Sequence, residues 1–275
     1  KSVNDILKGE SSMNKKLIKA AVIGALFSVA PMSFAADEVE DIKAPSMLDE
    51  FSFSANVGLY SDYIFRGYTQ TQNEPAIQGG FDVEHSSGLY AGTWASNVDW
   101  TTAGGYMDKN SVEIDVYAGW AGDTGFYDLG FDIGVLQFYY PGNDTADAVE
   151  TDATEIYFGF NKDWGAFSTS VTNYVVVSDD AWGFSDMDGE MYHDLTVDVP
   201  LGSSPVTLSG HVGHQTFGES TYDYTDWKLN VDYAFNDNFS AGAFYTDTDQ
   251  SESDWTVGST YLGDSTFGGY LSAGF

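Results

Sequence analysis

The chain has 275 residues, 42 of them acidic and 10 basic, with a formal net charge of −32 at pH 7 and no cysteine. Such acidity argues strongly against nucleic-acid binding, because phosphate backbones would be repelled, and the lack of thiols excludes disulfides and thiolate metal sites. A content of 30 Gly, 18 Tyr, 19 Phe and 7 Trp with only 6 Pro is typical of many short strands with aromatic belts.

The first predicted element is a signal peptide. A basic stretch at 13–19 precedes an apolar run at 20–30, and Ser33 and Ala35 are the small residues that a signal peptidase reads. An uncleaved membrane anchor is the alternative that this pattern leaves open. The predicted organisation is upstream sequence at 1–12, a cleaved signal peptide at 13–35, a flexible periplasmic lead-in at 36–50 and a barrel at 51–275.

From residue 51 onward, apolar and polar residues alternate. Phe51, Phe53, Ala55, Val57 and Leu59 recur at a period of two, which places them on one face of a strand. Further segments repeat this pattern or are rich in strand-forming residues. They lie near 77–84, 89–98, 112–116, 128–135, 155–161, 166–177, 194–199, 206–212, 227–233, 238–248 and 266–275.

The connections between these segments alternate in length. Short turns rich in Gly, Asn, Asp and Ser lie near 85–88, 122–125, 161–165, 201–205 and 236–238. Long segments lie near 61–75, 99–110, 140–152, 178–190, 214–224 and 249–265. Bacterial barrels with periplasmic turns and extracellular loops are built in this way.

The predicted fold is therefore all-β, a transmembrane antiparallel up-and-down β-barrel of about twelve strands. Residues 254–262 also alternate, so they are either a hairpin within a loop or a sign of a different strand number. A soluble β-sandwich is the competing fold, but its polar face should meet water and its connections need not alternate in length.

Carboxylates often occupy the polar positions of the alternating segments. The candidates predicted to line the lumen are Asp82, Glu84, Glu113, Asp115, Asp128, Asp132, Glu155, Asp194, Asp198 and Asp232, together with Lys228. Two like charges about 8 Å apart repel by about 2 kcal/mol at an effective dielectric near 20. The crowding predicts a hydrated lumen that prefers cations, whereas acidic loops that merely keep the surface solvated are the simpler explanation of the net charge.

Arg66 is the single arginine of the chain. It follows the first predicted strand, and a bidentate pairing with Asp82 or Asp99 would pin the first extracellular loop to the barrel wall or lumen. A direct role in selecting the solute is the alternative.

Aromatic residues near the strand ends favour membrane-interface girdles, with stacking of sugars as the alternative. This set comprises Tyr60, Tyr63, Trp100, Trp120, Tyr127, Tyr139, Tyr140, Trp164, Tyr174, Trp182, Trp227 and Trp255. The last strand alternates up to Phe275, which resembles the C-terminal signal that barrel-assembly machinery reads. The acidic loops could bind divalent cations that bridge lipopolysaccharide, although none has the full EF-hand spacing.

Three elements near the start of the barrel resemble the signature of the TorF family of porins. They are Phe65-Arg66-Gly67, Gln78-Gly79-Gly80 and Ser96-Asn97-Val98-Asp99. The resemblance covers residues 60–99, and beyond residue 100 it is one of layout. It implies an outer-membrane barrel with diffusion activity, and the identity of the substrate does not carry over. We therefore expect a porin for passive diffusion of small solutes, surrounded by lipid and lipopolysaccharide, with no enzymatic activity and no cofactor.

Two other functions remain open from the sequence. One is a closed structural or adhesive barrel that displays acidic loops. The other is an outer-membrane hydrolase using His193-Asp194, or His211 and His214. His211 and His214 lie three apart and so point to opposite faces of a strand, and no nucleophile motif accompanies them, which disfavours the hydrolase.

Overall fold

The computed structural model describes residues 50–146 and 148–275. The predicted upstream sequence, signal peptide and nearly all of the lead-in lie outside the described residues. Within the described part of the chain, no helix is long and apolar enough to cross a membrane.

Twelve long antiparallel strands close into one barrel, as the alternation predicted. They are β1 (Phe51–Tyr60), β2 (Ala76–His85), β3 (Leu89–Asn97), β4 (Val112–Asp123), β5 (Leu129–Tyr139), β6 (Ala153–Asp163), β7 (Ser168–Val176), β8 (Met191–Pro200), β9 (Val206–Gln215), β10 (Tyr224–Ala234), β11 (Phe239–Thr248) and β12 (Thr266–Gly274). Each strand pairs with its neighbours in the chain, and β1 closes the barrel against β12.

The long loops carry short elements of their own. These are paired strands at Ile64–Phe65 and Tyr68–Thr69, a helix at Trp100–Ala103, paired strands at Met107–Lys109 and Asn143–Asp144, a 3₁₀ turn at Ser220–Tyr222, and paired strands at Thr256–Val257 and Thr260–Tyr261. The last pair forms a two-stranded sheet separate from the barrel. The alternation at 254–262 is therefore a loop hairpin and adds no strand to the wall.

The outer face of the barrel is apolar. The alternating residues of β1 point outward, and Leu59 is 59% exposed. The pattern continues around the wall to Leu229 at 63% and Phe267 at 84%. A closed barrel that presents a continuous apolar surface in this way is a structure for a lipid bilayer, where the closed ladder satisfies every wall peptide.

The inner face carries tyrosines that lie flat over glycines of the next strand. Tyr117 of β4 is paired in register with Gly92 of β3, and Gly92 is paired with Asp82 of β2. The Tyr117 hydroxyl crosses the glycine and donates to Asp82 Oδ1 at 2.5 Å. One side chain thus links three strands, and only glycine at the middle position leaves room for the ring.

The same row recurs elsewhere in the barrel. Tyr270 of β12 crosses Gly242 of β11 and donates to Asp232 of β10. In another row, Tyr157 and Tyr90 approach from opposite sides over two adjacent glycines until their hydroxyls meet. Residues far apart in sequence are therefore tied together around the inner wall.

Replacing a glycine under one of these rings should destabilise the barrel. In Gly134→Ala the new Cβ would lie 2.7 Å from the Ala118 oxygen and 2.5 Å from Tyr157 Cζ, and the backbone oxygen is fixed in the ladder. We expect the free energy of unfolding to fall by about 1–3 kcal/mol, measured by urea unfolding in detergent micelles.

Gly210→Ala is the matched control, because its Cβ would have Leu229 Cδ2 at 3.7 Å as its nearest neighbour. We expect this change to stay within about 0.5 kcal/mol of the wild type. Equal effects of the two alanines would contradict the role of the covered glycines.

Candidate functional site

The lumen is divided into two zones. At the end with the short turns, its wall carries small polar residues such as Ser54, Ser209 and Ser240, which keep part of their surface accessible. At the end with the long loops, the lumen side chains are buried, among them Leu136 and Phe138. The loop end is therefore filled and the turn end is lined with hydroxyl groups.

Side chains from the loops complete this filling. Tyr63, Tyr68, Trp100 and Met107 are all buried against the wall. Tyr68 stacks on Trp255, with ring centroids 4.3 Å apart. Contacts of this kind join different loops into one apolar plug.

A tight hairpin of the first long loop reaches into the plug. Its strands, Ile64–Phe65 and Tyr68–Thr69, are joined by Arg66 at φ 46° and Gly67 at φ 85°. Two consecutive positive φ values define a type I′ turn, which matches the twist of a two-residue hairpin. A Cβ at Gly67 would lie 2.5 Å from Thr248 Cγ2, so the tip is pressed against the wall.

Arg66 fixes this hairpin to the opposite side of the barrel. Its Nη1 and Nη2 donate to Glu155 Oε1 and Oε2 at 2.8 and 2.7 Å, and Nη1 also donates to Gln215 Oε1 at 2.8 Å. The guanidinium lies 4.2 Å from the ring centroid of Tyr192 and 5.0 Å from that of Tyr174. We call the contact of Arg66 with Glu155 and Gln215 the latch.

The predicted partners of Arg66 were wrong in identity, although the first loop is held inside the barrel as expected. Asp82 accepts from Tyr117 instead. The Asp99 backbone N–H donates to Gln70 O at 3.0 Å. Asp99 therefore holds the first loop without touching Arg66.

The predicted lumen carboxylates lie on the inner face of the strands, with one exception. Asp128 is exposed in the turn between β4 and β5 at φ 53°, so its placement on the lumen wall is corrected. Its alternation with Leu129 begins before the strand does, because the chain is still turning there. Lys228 faces the lumen as predicted, with its Nζ 4.7 Å from the centroid of the Phe244 ring.

Protein groups compensate most of these carboxylates, which corrects the expectation that water or cations must do so. The donors are four tyrosine hydroxyls, the Arg66 guanidinium, one histidine and one serine. The pairs are Tyr63 with Glu113, Arg66 with Glu155, Tyr90 with Asp132, Tyr117 with Asp82, His211 with Asp194, Ser209 with Asp198, and Tyr270 with Asp232. Charge-assisted bonds of this type lower the cost of an acidic interior.

Asp115 differs from the other lumen carboxylates. It is completely buried, and neither of its carboxylate oxygens has a hydrogen-bond partner within the described part of the chain. Glu113 and Glu155 lie close enough to act on it electrostatically. Burial and these two neighbouring carboxyl groups therefore favour the neutral, protonated form of Asp115.

His211 joins two carboxylates on the inner wall. Its Nδ1 lies 2.6 Å from Asp194 Oδ2, and its Nε2 lies 2.8 Å from Asp226 Oδ2. Both ring nitrogens can donate only in the imidazolium form, so His211 acts as a cation between two anions. Because neither nitrogen is left for a hydroxyl nucleophile, this histidine gives the hydrolase alternative no support.

Sequence reasoning missed Gln215, Asp226 and the lumen tyrosines. The residue types themselves carry a signal for the tyrosine rows. Tyrosine, glycine and aspartate occupy neighbouring lumen positions on adjacent strands once the strands are in register. The register itself could not be read from the alternation, which gives only the face of each residue.

The girdle interpretation stays a prediction for the members of the aromatic set that are exposed. Trp120, Tyr127, Tyr139 and Trp164 are exposed. It was wrong for the members that pack in the plug, which are Tyr60, Tyr63, Trp100, Tyr140, Tyr174, Trp182 and Trp255. Long loops that fold inward bring their aromatic residues with them.

Phe275 pairs with β1 at the end of the last strand. Its N–H donates to Ala55 O at 2.8 Å, and Ala55 N–H donates to Phe275 O at 2.9 Å. Its side chain faces outward. Reading of this residue by assembly machinery stays a prediction.

Asp62 is a buried carboxyl at the root of the first loop. Its Oδ1 lies 2.6 Å from Thr69 Oγ1 and 2.9 Å from Thr71 Oγ1, which is also 2.6 Å from the Glu74 carbonyl oxygen. Burial raises the pKa of Asp62 to about 6, although the threonine hydrogen bonds act in the opposite direction. One hydroxyl proton cannot serve both acceptors of Thr71, and a protonated Asp62 resolves that competition.

The chain is similar to one protein family and to several solved structures. A family model described as "Bacterial protein of unknown function (Gcw_chp)" matches residues 46–275. None of the curated proteins matches the chain. Solved structures similar in fold include three outer-membrane proteins, and at these identities the likeness concerns the fold alone.

The NanC porin is 12% identical with a TM-score of 0.48, covering 81% of this chain and 98% of that one. The KdgM porin in complex with disordered oligogalacturonate is 6% identical with a TM-score of 0.47, covering 81% and 95%. An outer-membrane channel from Pseudomonas putida is 9% identical with a TM-score of 0.46, covering 87% and 99%.

Breaking the latch should destabilise the barrel. Arg66→Ala leaves Glu155 buried and unpaired, so we expect the free energy of unfolding to fall by about 3–5 kcal/mol. The double variant Arg66→Ala/Glu155→Gln should recover part of the loss, because no charge then remains unpaired. Thermal unfolding in detergent micelles measures both, and equal melting of the single and double variants would contradict the latch.

Asp62 should make stability depend on pH. Because its folded pKa of about 6 lies above its unfolded value, the folded state binds the extra proton, and the stabilisation is fully present below about pH 4 and lost as pH rises through about 6. The wild type should therefore lose stability relative to Asp62→Asn between pH 4 and pH 7, as urea unfolding at each pH would measure.

The exposed loop residue Asp188 supplies the control for this titration. Asp188→Asn should follow the wild-type pH profile, since exposed substitutions have small effects. A constant difference between the wild type and Asp62→Asn across this range would rule out the titration of Asp62.

Proposed function

The chain belongs to the family described as bacterial protein of unknown function (Gcw_chp), and from its lumen we propose an outer-membrane porin of the TorF type that the first loop closes. The proposed activity is passive diffusion of small solutes with a preference for cations. The latch between Arg66 and Glu155 is the observation that carries the proposal.

The closing element is separable from the wall. The hairpin Ile64–Thr69 belongs to a loop, and its strands pair with each other and not with the barrel. Removing it would leave all twelve wall strands paired. A constriction made by one loop differs from a lumen filled by side chains of the wall, because a rearrangement of that loop can widen it.

The charges of the lumen support cation preference. Its wall has carboxylates on six of the twelve strands, whereas Lys228, His211 and the inserted Arg66 are the positive groups on the lumen side of the described residues. Withdrawal of the hairpin would remove Arg66 and leave Glu155 facing the path. The opened lumen would therefore be more acidic than the closed one and would favour cations.

The hydroxyl-rich zone at the turn end supports passive diffusion of small polar solutes. Serines such as Ser54 and Ser240 offer hydrogen bonds to water and solutes without a fixed charge. No group of three or more His, Cys, Asp and Glu suited to a metal occurs among the residues that the structure describes.

The buried loop end also favours a second candidate, a closed structural or adhesive barrel. Leu136, Phe138 and Val176 are almost completely buried on the wall itself, so the filling does not depend on the hairpin alone. The two candidates differ in one respect, which is whether removal of the hairpin opens a path.

Planar-bilayer recording of refolded protein would test the proposal. Replacing residues 64–69 with a short Gly-Ser linker, or changing Arg66→Ala, should raise open-channel conductance or open probability severalfold over the wild type. Lys109→Ala is the matched control, because it removes one positive charge from an exposed loop position outside the latch and should leave the recordings unchanged.

Ion selectivity is measured on the same membranes. Reversal potentials in a salt gradient should indicate cation preference in the hairpin variant, and anion preference would overturn that part of the proposal. Absence of conductance in every variant, with a barrel circular-dichroism spectrum retained, would favour the closed structural barrel.

A further inference from the structure

Two histidines on the outer face of the barrel have no part in the proposed channel. His193 of β8 and His214 of β9 are directly opposite in the antiparallel ladder. Both side chains are exposed. Residues opposite one another in such a ladder have Cβ atoms about 5 Å apart and project from the same face.

The ring of each histidine is oriented by a hydrogen bond at Nδ1. His193 Nδ1 lies 2.7 Å from Asn173 Oδ1, and His214 Nδ1 lies 3.1 Å from Thr225 Oγ1. An amide oxygen only accepts, so His193 Nδ1 carries the proton and its Nε2 has a free lone pair. The hydroxyl of Thr225 allows the same tautomer at His214.

This arrangement is the one that metal-binding imidazoles use. A ligating histidine commonly donates its second ring N–H to an oxygen acceptor, which fixes the tautomer and orients the ligating nitrogen. Here both histidines have that acceptor, and neither Nε2 makes a hydrogen bond within the described residues.

The pair is accessible from the loop side of the membrane. Asn173, His193, His214 and Thr225 form one polar row across β7 to β10. The next outward residues toward the turn end, Val171, Leu195, Val212 and Trp227, are apolar. Toward the loop end, Val175 and Met191 follow on β7 and β8 and Thr216 follows just after β9, so the pair lies near the loop-side edge of the apolar band.

Negative charge lies nearby. Thr216, which follows His214 on the same face, donates to the Glu190 carboxylate. A carboxylate in this position raises the local concentration of cations at the rim.

We propose that His193 and His214 together bind one late first-row divalent transition-metal ion, such as Zn²⁺ or Ni²⁺, through their Nε2 atoms. Water completes the coordination. Imidazole is a ligand for these ions, whereas Mg²⁺ and Ca²⁺ prefer oxygen. Because the ligands come from adjacent strands, the bound ion links β8 to β9 and stabilises the barrel by mass action.

Isothermal titration of tag-free refolded protein with ZnCl₂ or NiCl₂ at pH 7.5 would test the site. We expect one ion per chain for the wild type, and His193→Asn and His214→Asn should each weaken binding by about tenfold or more. MgCl₂ should give no comparable binding.

His85→Asn is the matched control, because His85 is a histidine at the opposite end of the barrel and its ring bonds to Ser87 and Glu50. It should bind Zn²⁺ as the wild type does. Asn173→Ala tests the orienting hydrogen bond and should weaken binding while both histidines remain. His193→Gln and His214→Gln replace the asparagine variants if either fails to refold.

Several outcomes would overturn the site. They are wild-type-like binding in either histidine variant, loss of binding in His85→Asn, or absence of Zn²⁺ and Ni²⁺ binding in the wild type. Conductance does not depend on these residues in the proposed channel, so failure of the metal site would leave the channel proposal intact, and the reverse also holds.

Discussion

The carboxylates inside this narrow barrel must be stabilised by groups of the wall itself. The rows in which a tyrosine crosses a glycine to reach an aspartate meet this constraint, as Tyr117, Gly92 and Asp82 do. Each row uses the missing side chain of glycine to lay a ring flat and carry a hydroxyl to the second strand over. The same contacts narrow the lumen and tie distant strands together. The hydrogen bonds that stabilise the lumen carboxylates therefore also make the barrel wall rigid.

The plug follows from the same constraint. Glu155 lies too deep to be left ionised alone, and Arg66 satisfies both of its oxygens from a loop rather than from the wall. A wall carboxylate satisfied by a loop side chain couples the position of that loop to the electrostatics of the lumen. In the proposed channel, this coupling makes the first loop, with its buried Asp62 at the root, the element that separates the closed from the open form.

The outer face of the barrel combines an apolar band with polar residues at its edge. Its apolar residues form a band that lipid can cover, and a polar row near the loop-side edge of the band contains His193 and His214. These two histidines make no hydrogen bonds to the lumen carboxylates, and lipid does not cover them. Their chemistry is therefore independent of the channel, which is why the two proposals can be tested separately.

The sequence by itself predicted about twelve strands, the face of most wall residues and the alternation of turns and loops, because a period of two records which side meets lipid. It also singled out Arg66. Only the tertiary structure decided that Glu155 is its partner, that Asp128 lies in a turn, and that loop aromatics fill one end of the lumen. These facts depend on strand register and on how loops fold inward, and alternation within one strand carries no information about either.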